Sequence, residues 1–184
     1  LYCQGGPQVS ISQYFSYHWN FQLMAANDYI VIAPNRRGVP GFGQDWNDAI
    51  IKDWGGKAIA DYLTVVDSIT QEPAFDSKRV GAVGASYGGY SVYFLAGIHK
   101  NRFKAFISHG GIFNLKSWYG STDELFFANN DLGGPYWLKE NDSVFTKHSP
   151  ITYVNNWNTP ILIAHGEKDY RVPLNEGIQA FQAS

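Results

Sequence analysis

The stretch "RVGAVGASYGGYSVYF", residues 79–94, decides the fold. Arg79 to Ala85 is a short apolar run of strand length, and the residues from Ser86 to Lys100 read as a helix despite two early glycines. Between the two sits Ser86, with Gly84 two places before it and Gly88 two places after. A buried strand that turns sharply into a helix is the unit of an α/β domain. Small residues on both sides of the turn let the strand and the helix cross closely.

The same alternation continues outward. Leu1 to Gln4 reads as a strand that runs into the tight loop "GGP". From Gln13 to Asn27, Phe15, Trp19, Leu23 and Ala26 recur at helical spacing. "YIVIAP", residues 29–34, is a continuous apolar run of the kind found in parallel sheets covered on both faces. "NRRGVPGFGQDW" follows as a glycine-punctuated loop. Ile59, Tyr62, Leu63, Val66 and Ile69 then form one apolar stripe on a helix from Gly56 to Thr70. "FKAFISHGG" (103–111) and "PILIAHG" (160–166) read as two further strands, and the chain is helical again from Leu174. Residues 112–158 are irregular and aromatic, and read as a helical or lid-like insertion. The expected architecture is one α/β domain, with a mostly parallel sheet and helices on both faces.

Composition excludes several function classes. The 184 residues are 45% hydrophobic and 16% charged, the balance of a globular chain. A net charge of −2 supplies no basic field for nucleic acid or an anionic membrane. No apolar run approaches the roughly 20 residues needed to span a bilayer. The single cysteine, Cys3, sits in an apolar strand and reads as a small buried filler. No metal-ligand spacing appears, so neither a metal nor an organic cofactor is expected. The chain begins in mid-strand without a methionine and ends inside a helical pattern, as expected for a piece of a longer polypeptide truncated at both ends.

The strand-to-helix turn gives Ser86 the setting of a nucleophile rather than a plain helix cap, because the turn raises its hydroxyl. The backbone N–H of the next residue, Tyr87, is placed to stabilise a developing oxyanion. A second donor should come from the loop after a neighbouring strand, and "QGGP" is such a loop. The acid that orients the base should follow a later strand. "AHGEKDYRVP" offers Asp169, deeper in its loop, and Glu167 as runner-up. The base is the missing piece, since no histidine follows His165. His18 falls on the first helix and reads as facing its wet side. His99 lies about 20 Å along the helix from Ser86 at ~1.5 Å per residue, too far to serve. His109 and His165 sit at strand ends on the rim of the site. The base is therefore expected on polypeptide beyond Ser184.

With "QGGP", "NRRGVPGFG", "DWGG", "GASYGGYS" and "HGEKDYRVP" in this order, the chain resembles the prolyl oligopeptidase family of serine peptidases, in its dipeptidyl-peptidase V and acylaminoacyl-peptidase branch. The likeness runs over essentially the whole chain. It implies a partial α/β-hydrolase catalytic domain over residues 1–184, normally preceded by a β-propeller. It implies Ser86 and Asp169 as triad members, Tyr87 and Gly6 as oxyanion donors through backbone N–H, Arg171 as a contact to a substrate carbonyl, and Tyr87 and Val172 as the wall of the pocket for the side chain before the cut. The implied substrates are short peptides, cleaved to release dipeptides or acyl-amino acids; an esterase or a non-catalytic binding module on the same fold are the alternatives. A periplasmic or extracytoplasmic compartment follows from the resemblance alone. Many relatives have histidine where this chain has Gln4, and the family's catalytic histidine is absent from these residues.

The resemblance also implies a sheet order of 2-1-3-4-5, with its reversal between the "LYCQ" and "GAVGA" strands. Ligands bind at such reversals, beyond the strands' carboxyl ends. Several residues keep a plainer reading. Arg36 and Arg37 suit loop-anchoring salt bridges better than a substrate carboxylate. Asp53 to Gly56 shape a turn before the second helix, and Asp61 and Asp67 read as solvated helix charges. Trp118, Tyr119, Phe126, Phe127, Tyr136 and Trp137 form either a substrate wall or an ordinary core under the insertion.

Overall fold

A computed structural model describes residues 1–184 apart from Tyr14. Four strands, β1 (Tyr2–Cys3), β2 (Gly81–Ala85), β3 (Ala105–His109) and β4 (Ile161–Ala164), form one sheet. All neighbours are parallel and lie in the order β1-β2-β3-β4. The helices are α1 (Phe21–Ala26), α2 (Gln44–Asp48), α3 (Lys57–Ile69), α4 (Tyr87–Ile98), α5 (Leu115–Tyr119), α6 (Leu125–Leu132), α7 (Lys139–Lys147) and α8 (Leu174–Ala183), with a 3₁₀ helix at Pro150–Asn156. No helix among the described residues is long and apolar enough to cross a membrane.

Helix α4 is the axis of the core. Every residue from Tyr87 to Gly97 is buried. A helix that is apolar all round has no wet face to present, so it sits under other layers. It lies on β1, β2 and β3 on one side and against the 3₁₀ helix on the other. Trp54, just before α3, makes edge-on contacts with Tyr87 and Tyr90 and tilted ones with Trp118 and Phe127. Helix α8 closes the far end of the same face, where Ala180 packs with Tyr93 and Phe113. On the opposite face Trp19 and Phe21, at the start of α1, cover Tyr2. Cys3 is fully buried and its thiol is pushed up to about 12 by that burial, as a filler rather than a nucleophile.

Three expectations need correction. Among the described residues the run 29–34 forms no ladder, although the Tyr2 N–H donates to the Ile32 carbonyl at 2.7 Å. The run thus lies where the expected order places it, but β1 is two residues long, Pro34 has no N–H to give, and Tyr29 and Ile30 are exposed. The helix expected from residue 13 begins only at Phe21. The Ser16 hydroxyl takes the N–H groups of His18 and Trp19, and the Asn20 side chain caps the Leu23 N–H, so hydroxyl and amide replace helical turns. Tyr14, inside that predicted helix, lies outside the described residues. Asp61 and Asp67 are paired rather than merely solvated, with Arg37 and Arg102.

Candidate active site

Ser86 sits at φ 58° and ψ −124°, a conformation costly for any side chain. Its own backbone holds it there. The Ser86 N–H donates to the His109 carbonyl of β3 at 3.0 Å, and its carbonyl accepts the Tyr90 N–H at 2.9 Å. The glycines around it are steric necessities. A β-carbon at Gly88 would lie 2.0 Å from the Cys3 carbonyl oxygen, and one at Gly84 would lie 2.6 Å from the same atom. The start of α4 therefore rests on the backbone of β1, and the turn lifts Ser86 clear of both.

Four loops meet at the carboxyl ends of the parallel strands, around a cleft of about 430 Å³. Gly5 and Gly6 follow β1, Ser86 follows β2, Gly110 follows β3, and Asp169, Arg171 and Val172 follow β4. Gly5 approaches the elbow closely: a β-carbon there would lie 3.1 Å from the Ala85 carbonyl oxygen, and in ordinary contact with the Ser86 Cβ. The Tyr87 N–H belongs to the first turn of α4, where no helical carbonyl reaches it, at the positive end of the helix. Ser86, Asp169, Gly6, Arg171 and Val172, separated widely in the chain, all line this one cleft.

The half-buried Asp169 carboxylate is held by its own loop: Oδ1 accepts the N–H groups of Arg171 at 3.0 Å and Val172 at 2.9 Å. Its other oxygen faces Gly110, where a β-carbon would be 3.3 Å away. Glu167 is exposed and makes no hydrogen bond through its carboxylate among the described residues. Val172 is buried against the cleft, and its carbonyl accepts the Nε2–H of His165 at 2.7 Å. The Arg171 guanidinium reaches the insertion, pairing with Asp123 at 2.7 Å and Glu124 at 3.1 Å.

One pocket assignment changes. The Tyr87 side chain does not line the cleft. Its ring is 1% exposed, its hydroxyl donates to the Trp54 carbonyl at 2.7 Å, and the Arg36 guanidinium lies 4.5 Å above it. Aromatic area and a satisfied hydroxyl anchor this ring in the core. His18, read as a helical residue on a wet side, is exposed as expected but lies outside any helix and lines the cleft, stacked on Trp19 and edge-on to His109. No local signal marks it, because the helix that would have oriented it does not form there. His99 and His148 are structural. Their Nδ1 atoms accept backbone N–H groups from Phe103 and Gly55.

The aromatic insertion divides. Trp118 and Tyr119 are core, whereas Phe126 and Trp137 are exposed. The insertion is tied down by buried polar groups. Asp131 accepts from Trp54 Nε1 at 2.9 Å and from Gln8 Nε2 at 3.0 Å, bridging it to the loop beyond Gly6. Glu176, at the start of α8, accepts the N–H groups of Phe113 and Asn114 and the Ser117 hydroxyl. Burial pushes its carboxyl upward against those donors. Neither residue was singled out by sequence reasoning. Among the described residues no group of three His, Cys, Asp or Glu side chains is arranged to hold a metal ion.

A model of the prolyl oligopeptidase family matches residues 14–183. The chain is 56% identical, over its whole length, to dipeptidyl-peptidase 5 of Porphyromonas gingivalis, and spans 27% of that protein. Its fold superposes on the acylaminoacyl peptidase of Pyrococcus horikoshii with a TM-score of 0.89 and 30% identity, covering 99% of this chain and 29% of that one. An acylaminoacyl peptidase in complex with Z-Gly-Gly-Phe-chloromethyl ketone gives the same TM-score at 31% identity, covering 99% of this chain and 29% of its own.

Proposed function

The chain belongs to the prolyl oligopeptidase family of serine peptidases, and from that premise we propose that it is the core of a catalytic domain that hydrolyses short peptides, releasing dipeptides. One observation carries the reading: Ser86 on a strained elbow, the Gly5–Gly6 loop and the Asp169 carboxylate line one cleft. The names of the relatives support the substrate class, and the peptide ketone bound by a related acylaminoacyl peptidase agrees with it.

In this reading the Ser86 hydroxyl adds to the scissile carbonyl while its proton passes to an imidazole. That imidazole comes from polypeptide outside these 184 residues. Asp169, its Oδ1 occupied by two loop N–H groups, turns Oδ2 to the ring's N–H and stabilises the cation that forms. The tetrahedral oxyanion accepts hydrogen bonds from the N–H groups of Tyr87 and Gly6. The imidazolium returns its proton to the leaving amine, and water then releases the acyl group by the same steps. Arg171 meets a substrate carbonyl and Val172 walls the pocket for the side chain before the cut.

The test is turnover of a dipeptidyl anilide by the complete polypeptide. Ser86→Ala should abolish it, with a loss on the order of a millionfold, and Asp169→Asn should cost about 10⁴. Turnover that survives Ser86→Ala would overturn the reading. A free-amine dipeptidyl anilide cut faster than its N-acetylated form supports dipeptide release, and the reverse order supports acylaminoacyl release.

A further inference from the structure

Among the described residues Arg36 is a buried cation without a counter-charge. Its side chain is among the largest fully buried ones, at 1% exposure. No ion pair among the described residues includes it, whereas its neighbour Arg37 holds Asp61 through three short contacts. Its partners are all neutral. Nη2 donates to the Pro7 carbonyl at 3.0 Å, Nη1 to the Arg37 carbonyl at 3.0 Å, and Nε to the Tyr62 hydroxyl at 3.1 Å. The guanidinium carbon sits 4.5 Å from the centre of the Tyr87 ring. The Tyr62 hydroxyl donates onward to Gln4 Oε1 at 2.8 Å, and Gln4 Nε2 donates to the Pro34 carbonyl. A charge buried without a counter-ion is costly, and here only neutral acceptors and an aromatic face offset that cost.

The two elements it grips are those that carry the oxyanion donors. Pro7 is peptide-bonded to Gly6, and the Tyr87 ring belongs to the residue that follows Ser86 and opens α4, whose N–H has no helical acceptor. We propose that Arg36 is a positioning residue of the oxyanion site: one planar fork locks the Gly5–Pro7 loop to the first residue of α4, and its unpaired positive charge favours the negative charge that develops on the substrate oxygen. The fork matters as well as the charge, because only a guanidinium donates in three directions in one plane while stacking on a ring. The inference rests on Ser86 attacking a carbonyl in this cleft.

The test compares complete polypeptides carrying Arg36→Met, which keeps much of the stem and removes the charge, and Arg36→Lys, which keeps the charge and loses the fork. Three quantities are read: kcat and KM for a dipeptidyl anilide, the affinity of a peptide boronic acid that forms an anionic tetrahedral adduct, and the thermal melting curve. Arg36→Met should lower kcat by about 30- to 100-fold, approaching the loss of one oxyanion donor, and boronate affinity by a similar factor. KM should stay within about threefold, as for an interaction made only in the transition state. Arg36→Lys should recover part of both losses. Boronate affinity and kcat within about threefold of wild type in both variants, or a loss confined to KM, overturns the inference. Should Arg36→Met fail to fold, Arg36→Lys with an unchanged melting curve decides alone: a fall of about tenfold in kcat and boronate affinity supports the role, and unchanged values overturn it. Ser86→Ala, run in parallel, separates the two levels. If it is inactive while both Arg36 variants are normal, the peptidase reading stands and the role of Arg36 falls.

Discussion

The elbow and the insertion are both buried at their centres, but they are held by different physics. Around Ser86 the contacts are backbone on backbone: Gly88 and Gly84 press against the Cys3 carbonyl at distances no β-carbon tolerates. Across residues 112–158 an aromatic core is tied to the rest of the fold by side-chain hydrogen bonds. Asp131 grips Trp54 and Gln8, His148 takes the Gly55 N–H, and Glu176 takes two N–H groups and a hydroxyl. A steric fit has no partial form, so the elbow is either built or lost. A hydrogen-bond network yields by degrees, and it responds to pH.

The largest effect should therefore come from the smallest substitution. Gly88→Ala adds one methyl group where no space exists, and should cost about 4 kcal/mol or more, the range of severe core lesions. Urea denaturation followed by tryptophan fluorescence reads it, and a midpoint within error of wild type would mean that the crossing can open. Asp131→Ala comes next. It strands the Trp54 indole N–H and the Gln8 amide, and should cost about 3 kcal/mol by loss of charge-assisted hydrogen bonds. The elbow itself should stay intact, so a serine-directed fluorophosphonate should still label Ser86 in the folded variant. Labelling lost in step with stability would erase the distinction between the regions.

The smallest effect is a pH dependence confined to the insertion side. Burial depresses the pKa of His148 below its ordinary value of 6.5, and outweighs Asp53 at 3.8 Å. The folded chain thus holds a neutral ring whose Nδ1 accepts the Gly55 N–H. The unfolded chain takes up a proton near the ordinary value. His148 therefore contributes its full stability above about pH 6.5 and loses it as the pH falls toward its depressed folded value. The melting temperature should drop by a few degrees between neutral and mildly acidic pH. His148→Gln should flatten that part of the slope, and an unaltered slope would assign the dependence to His99, which burial depresses in the same direction.

The same contrast separates what was readable from what was not. Strand β2, the elbow and α4 were legible because apolar run, turn and helix follow one another within sixteen residues. The expected candidates Ser86, Asp169, Gly6, Arg171 and Val172 fall in the cleft, since each sits at the end of a strand whose apolar run marks it. The run 29–34 looked like a strand for the same reason, but pairing needs a partner of matching length, and β1 supplies two residues. The helix that periodicity predicts from residue 13 shortens to α1 because Ser16 and Asn20 compete for backbone N–H groups that periodicity assigns to a helix.

Local pattern thus determined the βα alternation, the place of the elbow and the identity of the residues at the strand ends. These follow from periodicity, turn sterics and the need of small residues at a crossing, all of which act between near neighbours. Tertiary structure alone decided that the Tyr87 ring anchors the core rather than the pocket, that His18 faces the cleft, and that Arg36, with no acidic partner among the described residues, bridges a loop and a helix start distant in sequence. The reason is physical: a buried polar group is settled by whichever donors and acceptors the whole fold brings within about 3 Å of it, and no spacing along the chain encodes that meeting.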